Sequence, residues 1–437
     1  MTGGAVRVDS ITAHPHHHIA PILRIPCEII SGIFGFCLPN DEFPRPSIKS
    51  APMQLSHVCS AWRKLAIQTP RLWSKILLCT GVHDFEHLGW TQTPRYLTTI
   101  MFFGSEDMGD TSTNGSFTTT LESHVEALEV WIRRSTPLLL SLHVRYPKLP
   151  PVPYSLGVDE LPPVFRVIIE SAARWKDVRL GLPLDYLSFA CRITQENASN
   201  LESLYVDNMS IPMSGPVYVH YPRCPPHYVW ADTAKTLSHL SVRGRIIYTP
   251  PIETSFARLH TLKLEHLALV DVPVILRCCP ALEDLTIHFH DLPEEIVYGS
   301  RSHHHAKLPR LRDFHLAHTG NSENGDSKLA SGGEVGILLD HLELPNLKGF
   351  YLWMTIISYE RYSNPERPWD YLSRLITRSN CSLNNLELRT PHIETSSIIK
   401  CLQLSPDLKY LGILADEDLE RQVAQLKPDL QSLRIFQ

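Results

Sequence analysis

The sequence predicts a mixed α/β fold: a short all-α module of about three helices, then a solenoid whose parallel strands line a concave sheet, with helices and loops on the convex side. Three observations carry this expectation. Apolar residues recur at helical spacing from Ile25 onward. A six-residue pattern, large-x-x-large-x-large, recurs eleven times between Leu139 and Ile435, with helix-like stretches between copies. The 437 residues exceed the usual size of one compact core, which leaves room for a module plus an elongated array.

Composition narrows the class. The chain is 43% hydrophobic and 20% charged, the balance of an ordinary globular protein. With 41 basic and 46 acidic residues the formal net charge is −5. No long basic run is present, so nucleic acid and anionic membranes are not expected partners. No run of about 18 apolar residues offers a membrane span, and Met1 to Ala20 lacks the apolar stretch of a secretory signal. The ten cysteines form no C-x-x-C pair and mostly sit in apolar runs. That usage predicts reduced, buried thiols in the cytoplasm or nucleus.

The elements follow in order. Residues 1–20 read as a disordered tail in which His14, His16, His17 and His18 surround Pro15. No second ligand set fixes them, so no metal site is expected there. His303, His304 and His305 read as a solvated loop tip, and Asp107–Thr120 and Gly320–Gly333 as flexible loops. The first ordered unit, placed at residues 21–78, opens at Ile25-Pro26. Pro26 suits the first turn of a helix, and Ile29, Ile30, Ile33, Phe34 and Cys37 form a stripe along about three turns. Pro39 and the polar residues after it stop that helix. A second helix is expected from about Pro52 to Cys59 and a third from about Ala61 to Gln68, before Leu72-Trp73 returns to the core.

These residues carry a resemblance. Ile25-Pro26-x-Glu28-Ile29, Ile33-Phe34, Leu55-x-x-Val58-Cys59-x-x-Trp62-Arg63-x-Leu65-Ala66 and Thr69-Pro70-x-Leu72-Trp73 stand in the order of an F-box. The stretch of about 55 residues looks most like the F-boxes abundant in mushroom-forming fungi. It departs from the family at Ile25, where Leu is usual, and at Pro39–Ser50, which is longer than the usual link and could stay exposed. The resemblance implies docking to a Skp-family adaptor, and through it to a cullin. Its implied contacts are Pro26, Ile29, Ile30, Phe34, Leu55, Val58 and Trp62. A unit this small has too little core to hide all of these side chains, which agrees with a partner surface.

Residues 79–136 are assigned to a linker or first capping repeat, and 137–437 to the repeat domain. The eleven copies begin at Leu139, Trp175, Leu201, Leu237, Leu259, Leu282, Leu311, Leu347, Leu383, Leu408 and Leu430, spaced 22 to 36 residues apart. In each copy the last two apolar positions are two apart, so they share one face of a short strand. Leu121–Arg134, Val164–Ala173, Asp271–Cys279, Tyr371–Ser379 and Ser396–Leu402 read as intervening helices. Repeated strand–helix–strand courses give parallel strands. One repeat cannot bury its own apolar face, whereas stacking buries all of them. The pattern resembles irregular leucine-rich repeats, without their Asn or Cys column. Side chains next to the inward positions should line the open face: His143, Arg145, Arg179, Tyr205, Asp207, Ser241, Arg243, Lys263, Glu265, Thr286, His288, His315, Tyr351, Trp353, Glu387, Arg389 and Arg434. Among them Tyr205, Arg243, His288, Tyr351, Trp353 and Arg389 are the candidate target-binding residues, because aromatic and Arg side chains dominate protein-binding faces.

Phosphate-loop, nucleophile-elbow and zinc-protease motifs are absent from the sequence. No catalytic residue, metal or cofactor is therefore expected. The expected function is that of the substrate-recognition subunit of an SCF-type (Skp–cullin–F-box) ubiquitin ligase, holding an unknown target protein. The alternative is a non-catalytic repeat scaffold acting outside any ligase.

Overall fold

The computed structural model describes residues 24–39, 43–79, 113–146, 149, 161–183, 186–187, 190, 197–209, 236–244, 256–267, 272–289, 305–318, 332–354, 370–390, 393–415 and 417–436. The His-rich tail, His303, His304, most of the 79–136 linker, Cys191 and Cys224 lie outside these residues.

The chain is mixed α/β. The helices are α1 (Cys27–Phe36), α2 (Met53–Ser56), α3 (Ser60–Ile67), α4 (Thr113–Arg134), α5 (Pro163–Glu170), α6 (Val272–Arg277), α7 (Gly332–Asp340), α8 (Tyr371–Ser379), α9 (Thr395–Leu404) and α10 (Glu417–Leu426). The strands are β1 (Lys75–Cys79), β2 (Leu140–Arg145), β3 (Trp175–Leu182), β4 (Ser203–Asn208), β5 (His239–Arg243), β6 (Thr261–Leu267), β7 (Asp284–Phe289), β8 (Ala306–Lys307), β9 (Asp313–His318), β10 (Leu342–Glu343), β11 (Gly349–Trp353), β12 (Asn385–Arg389), β13 (Tyr410–Leu414) and β14 (Ser432–Phe436).

Twelve strands form one sheet in chain order, every neighbouring pair parallel, and β8 pairs with β10 in a separate small ribbon. All eleven repeat copies become strands of the large sheet, from β2 to β14. The twelfth, β1, carries the same spacing in Trp73, Ile76 and Leu78. It lies across the expected boundary at Leu78, because the pattern there overlaps the close of the helical module.

Register explains the sheet. Ile76, Leu142, Val178, Leu204, Leu240, Leu262, Leu285, Phe314, Phe350, Leu386 and Leu411 stand side by side, and a second column runs two residues on from Leu78 to Ile413. Every member of the first column is buried. At most steps backbone pairing begins at the residue before the strand, as in Arg312 N–H to Glu283 O and Lys348 N–H to Arg312 O, both 2.8 Å. The turns behind the strands are braced by arginines. Arg174 donates to Leu138 O and Ile132 O, and Arg378 to Leu342 O and Leu339 O, so each joins a carbonyl of a helix's last turn to one in the chain that follows. Asn380 ends α8 in the left-handed region at φ 50°.

The helical module is joined to this core. Phe34 packs on Trp62 with ring centroids 4.9 Å apart, and Trp73 meets Trp131 at 5.1 Å. The centre of the module explains its own sequence. Cys59 caps α3 by accepting from Trp62 N–H at 3.5 Å, Arg63 Nε donates to Ser56 O at 3.0 Å, and Trp73 Nε1 donates to Ala66 O at 2.8 Å. Pro26 stands at the N-cap of α1, one place earlier than expected. The link after Pro39 is exposed at Ile48 and Lys49 but is anchored before them. Phe43 and Pro44 are buried, and Pro44 O accepts Leu77 N–H at 3.0 Å on the free edge of β1.

Two further expectations are corrected. Helix α4 starts inside the stretch read as loop 107–120, and α7 starts at Gly332, the end of the stretch read as loop 320–333. Among the described cysteines Cys279, Cys381 and Cys401 are buried, but Cys27 and Cys37 are exposed at the two ends of α1. Among the described residues no helix is long and apolar enough to cross a membrane.

A fully buried Leu contributes about 1.5–3 kcal/mol by burial alone. Leu262→Ala, in the middle of the first column, should therefore destabilise by about 2–5 kcal/mol, cavity included. The outward Thr286→Ala should change stability by no more than about 0.5 kcal/mol. Denaturant titration of both variants checks this, and equal effects would refute the assignment of faces.

Candidate functional site

Two surfaces stand out. The first is on the helical module. Ile30 and Phe34 turn into the core, so the stripe of α1 is split in two. Its other edge stays outside: Ile29 is 56% exposed, Ile33 42% and Phe36 86%, and Val58 beyond α2 is 59% exposed. Of the seven side chains expected to meet an adaptor, Pro26, Ile29 and Val58 are at the surface and Trp62 is half-buried. Ile30, Phe34 and Leu55 are core residues, because helical spacing cannot say which edge of a wide stripe faces inward. Phe36 was missed; it follows Gly35 at the end of the stripe and marked itself only by being apolar.

The second surface is the polar face of the large sheet, on which the expected residues alternate with the buried columns. It divides into three zones. At the β1–β3 end Phe43 lies edge-on to His143 (5.7 Å between centroids) and beneath Arg179 (5.1 Å). Burial, with the Arg179 and Arg145 charges adding to it, pulls the His143 imidazole down to about 4. No sequence signal marked Phe43 as part of this face.

In the middle, Arg243 stands between Asp207 (3.6 Å) and Glu265 (3.5 Å), and Lys263 Nζ lies 2.6 Å from Glu265 Oε1. Tyr205 Oη is 3.5 Å from Asp207 Oδ2, and His288 Nδ1 is 3.9 Å from Glu265 Oε1. Burial alone would raise the Glu265 carboxyl, but the Lys263 hydrogen bond and the surrounding positive charges hold it below its ordinary value. Burial works against the charge on Arg243, yet Asp207, Tyr205 and Glu265 more than offset it. His288 is lowered, chiefly by burial, against the pull of Glu265. Arg243 is therefore nearly buried and neutralised within the protein. Tyr205 and His288 border the same network.

At the β9–β14 end the face is aromatic. His315 and Tyr351 stack in parallel, 4.1 Å between centroids and 1° between planes. Trp353 is 41% exposed. The Arg389 guanidinium carbon lies 4.7 Å from the Trp353 ring centroid and 4.0 Å from that of Phe436. Arg389 Nε donates to Glu387 Oε1 at 2.5 Å, and Tyr410 Oη donates to Glu387 Oε2 at 2.7 Å. Gly412 makes room for this cluster, since a Cβ there would lie 2.9 Å from Glu387 Cγ and 3.1 Å from Phe436. Tyr351, Trp353 and Arg389 are thus brought together, whereas Tyr205, Arg243 and His288 belong to the middle network. Phe436 was missed, although it holds in the last copy the position that Trp353 and Arg389 hold in theirs.

Comparison with models of known protein families gave no match, and comparison with curated proteins gave none either.

The His143 site has a pH consequence. Its imidazole titrates lower in the folded chain than the ordinary 6.5, so the neutral ring is the form the fold favours. Stability from this site is complete above about pH 6.5 and is lost as pH falls from there to about 4, on the order of 3 kcal/mol at most. His143→Gln should flatten the fall in denaturation midpoint between pH 7 and 4; a variant that tracks the wild-type slope would contradict this.

Proposed function

We propose that this chain is the substrate-recognition subunit of an SCF-type ubiquitin ligase. In this reading residues 21–78 act as an F-box that docks to a Skp-family adaptor, and through it to a cullin. The remaining strands form a leucine-rich-repeat-like solenoid whose polar face is concave and holds a target protein. The chain performs no chemistry itself; it works in the cytoplasm or nucleus by raising the concentration of the target near a ubiquitin-charged enzyme.

The observation that carries the reading is the outward edge of α1. A helix that already packs Ile30 and Phe34 inward leaves Ile29, Ile33 and Phe36 in solvent, and Val58 after α2 is exposed as well. An apolar patch of this kind on a small module is accounted for by a partner. The order of Ile25-Pro26, Val58-Cys59-x-x-Trp62-Arg63 and Pro70-x-Leu72-Trp73 supports the choice of partner. One observation favours the scaffold reading instead: Pro44 pairs with the free edge of β1, so the module also serves as a cap for the sheet.

Capture of the full chain with a co-expressed Skp-family adaptor separates the two. The adaptor should be recovered, and Ile29→Asp with Phe36→Asp should lower recovery at least about tenfold, a loss of about 1.4 kcal/mol or more. Those two substitutions lie in solvent and should leave thermal unfolding unchanged. Failure of the folded wild-type chain to retain the adaptor would leave only the scaffold reading.

A further inference from the structure

Arginines on the polar face are not equivalent. Arg243 is enclosed by two carboxylates, and Arg179 lies over Phe43 with Asp177 at 3.8 Å. Arg389 is held differently. It ends β12, with Trp353 reaching it from β11 on one side and Phe436 from β14 on the other. Rings against a guanidinium fix its plane and leave its edge for hydrogen bonding. Glu387 takes the Nε side, and its second oxygen is already used by Tyr410. Among the described residues no partner accepts from the two terminal amino groups of Arg389. Arg434, exposed and 5.0 Å from the Phe436 ring centroid, adds a second positive charge at the same ring. Arg389 and Arg434 thus bring two cations to the Phe436 ring, against the Glu387 carboxylate bonded to Arg389.

We propose that this corner is a receptor for an acidic side chain of a target peptide, a carboxylate or a phosphate gripped by the Arg389 edge and Arg434, with a neighbouring apolar residue lying on Trp353. A planar fork matched to two acceptor oxygens is the chemistry that recognises such groups. Held by the rings and Glu387, the side chain has little rotamer freedom left to lose on binding. A peptide fits better than a nucleic acid, because one fork beside an exposed indole is not the long cationic track that a phosphate backbone requires. The inference rests on the polar face being the target-binding face and does not depend on adaptor docking.

The test uses the full chain on an array of random nonapeptides, with matched Glu/Gln and phosphoserine/serine versions of each retained peptide. Retained peptides should be rich in acidic residues, and Glu→Gln or removal of the phosphate should weaken them at least about tenfold. Arg389→Gln and Arg434→Gln should each erase that preference. Arg434 is exposed, so Arg434→Gln reads the charge even if Arg389→Gln disturbs the fold. Preference for Glu peptides alone assigns the group to a carboxylate, and preference for phosphoserine peptides alone to a phosphate. Retention indifferent to acidity, a preference that survives both variants, no retained peptide, or Arg389-dependent binding of a labelled oligouridylate in place of peptides would each overturn the proposal. Adaptor capture from the same preparations reports separately on the ligase reading.

Discussion

A strand of five or six residues with one apolar edge cannot bury that edge by itself. Here each inner strand is covered on both sides by neighbours in matching register, so two continuous columns of Leu, Val, Ile and Phe form. The rest of the structure depends on this constraint. Parallel register sets the direction of every connection, and the alternation of the pleat sends the intervening residues to the opposite face. The polar face is therefore a by-product of burying the columns, and its residues are placed to within a strand spacing by side chains they never touch.

The ends of the ribbon show what happens where a neighbour is missing. At β1 the free edge is met by Pro44, and Phe43 covers the polar face beside it. At β14 Leu433, which holds a column position, is partly exposed. The link that lengthens the helical module thus has a structural role at the first edge. It also closes the first zone of the polar face, while the middle zone neutralises itself through Arg243, Lys263, Asp207 and Glu265. Among the described residues the aromatic zone around Trp353 and Arg389 remains open.

The repeat strands were legible in the sequence because a spacing of three then two apolar residues leaves a strand few alternatives when it recurs in series. Tyr371–Ser379 was legible to the residue, since its apolar face has one clear period. Legibility failed where two signals overlapped or none existed. Trp73 was read as returning to the helical core and Ile76 and Leu78 fell within the expected module, while α4 and α7 begin in stretches whose Ser, Thr and Gly residues favour loops.

Sequence by itself determined the mixed α/β class, the repeated strands, the inward columns and most of the residues named on the polar face, because these follow from local periodicity. Tertiary structure alone decided that Ile30, Phe34 and Leu55 are core while Ile29, Ile33 and Phe36 are surface, since a helix reveals its inward edge only when something packs against it. It alone decided that Arg243 is neutralised and Arg389 is poised: the charges and rings that make the difference come from strands up to tens of residues away, and no local pattern records them.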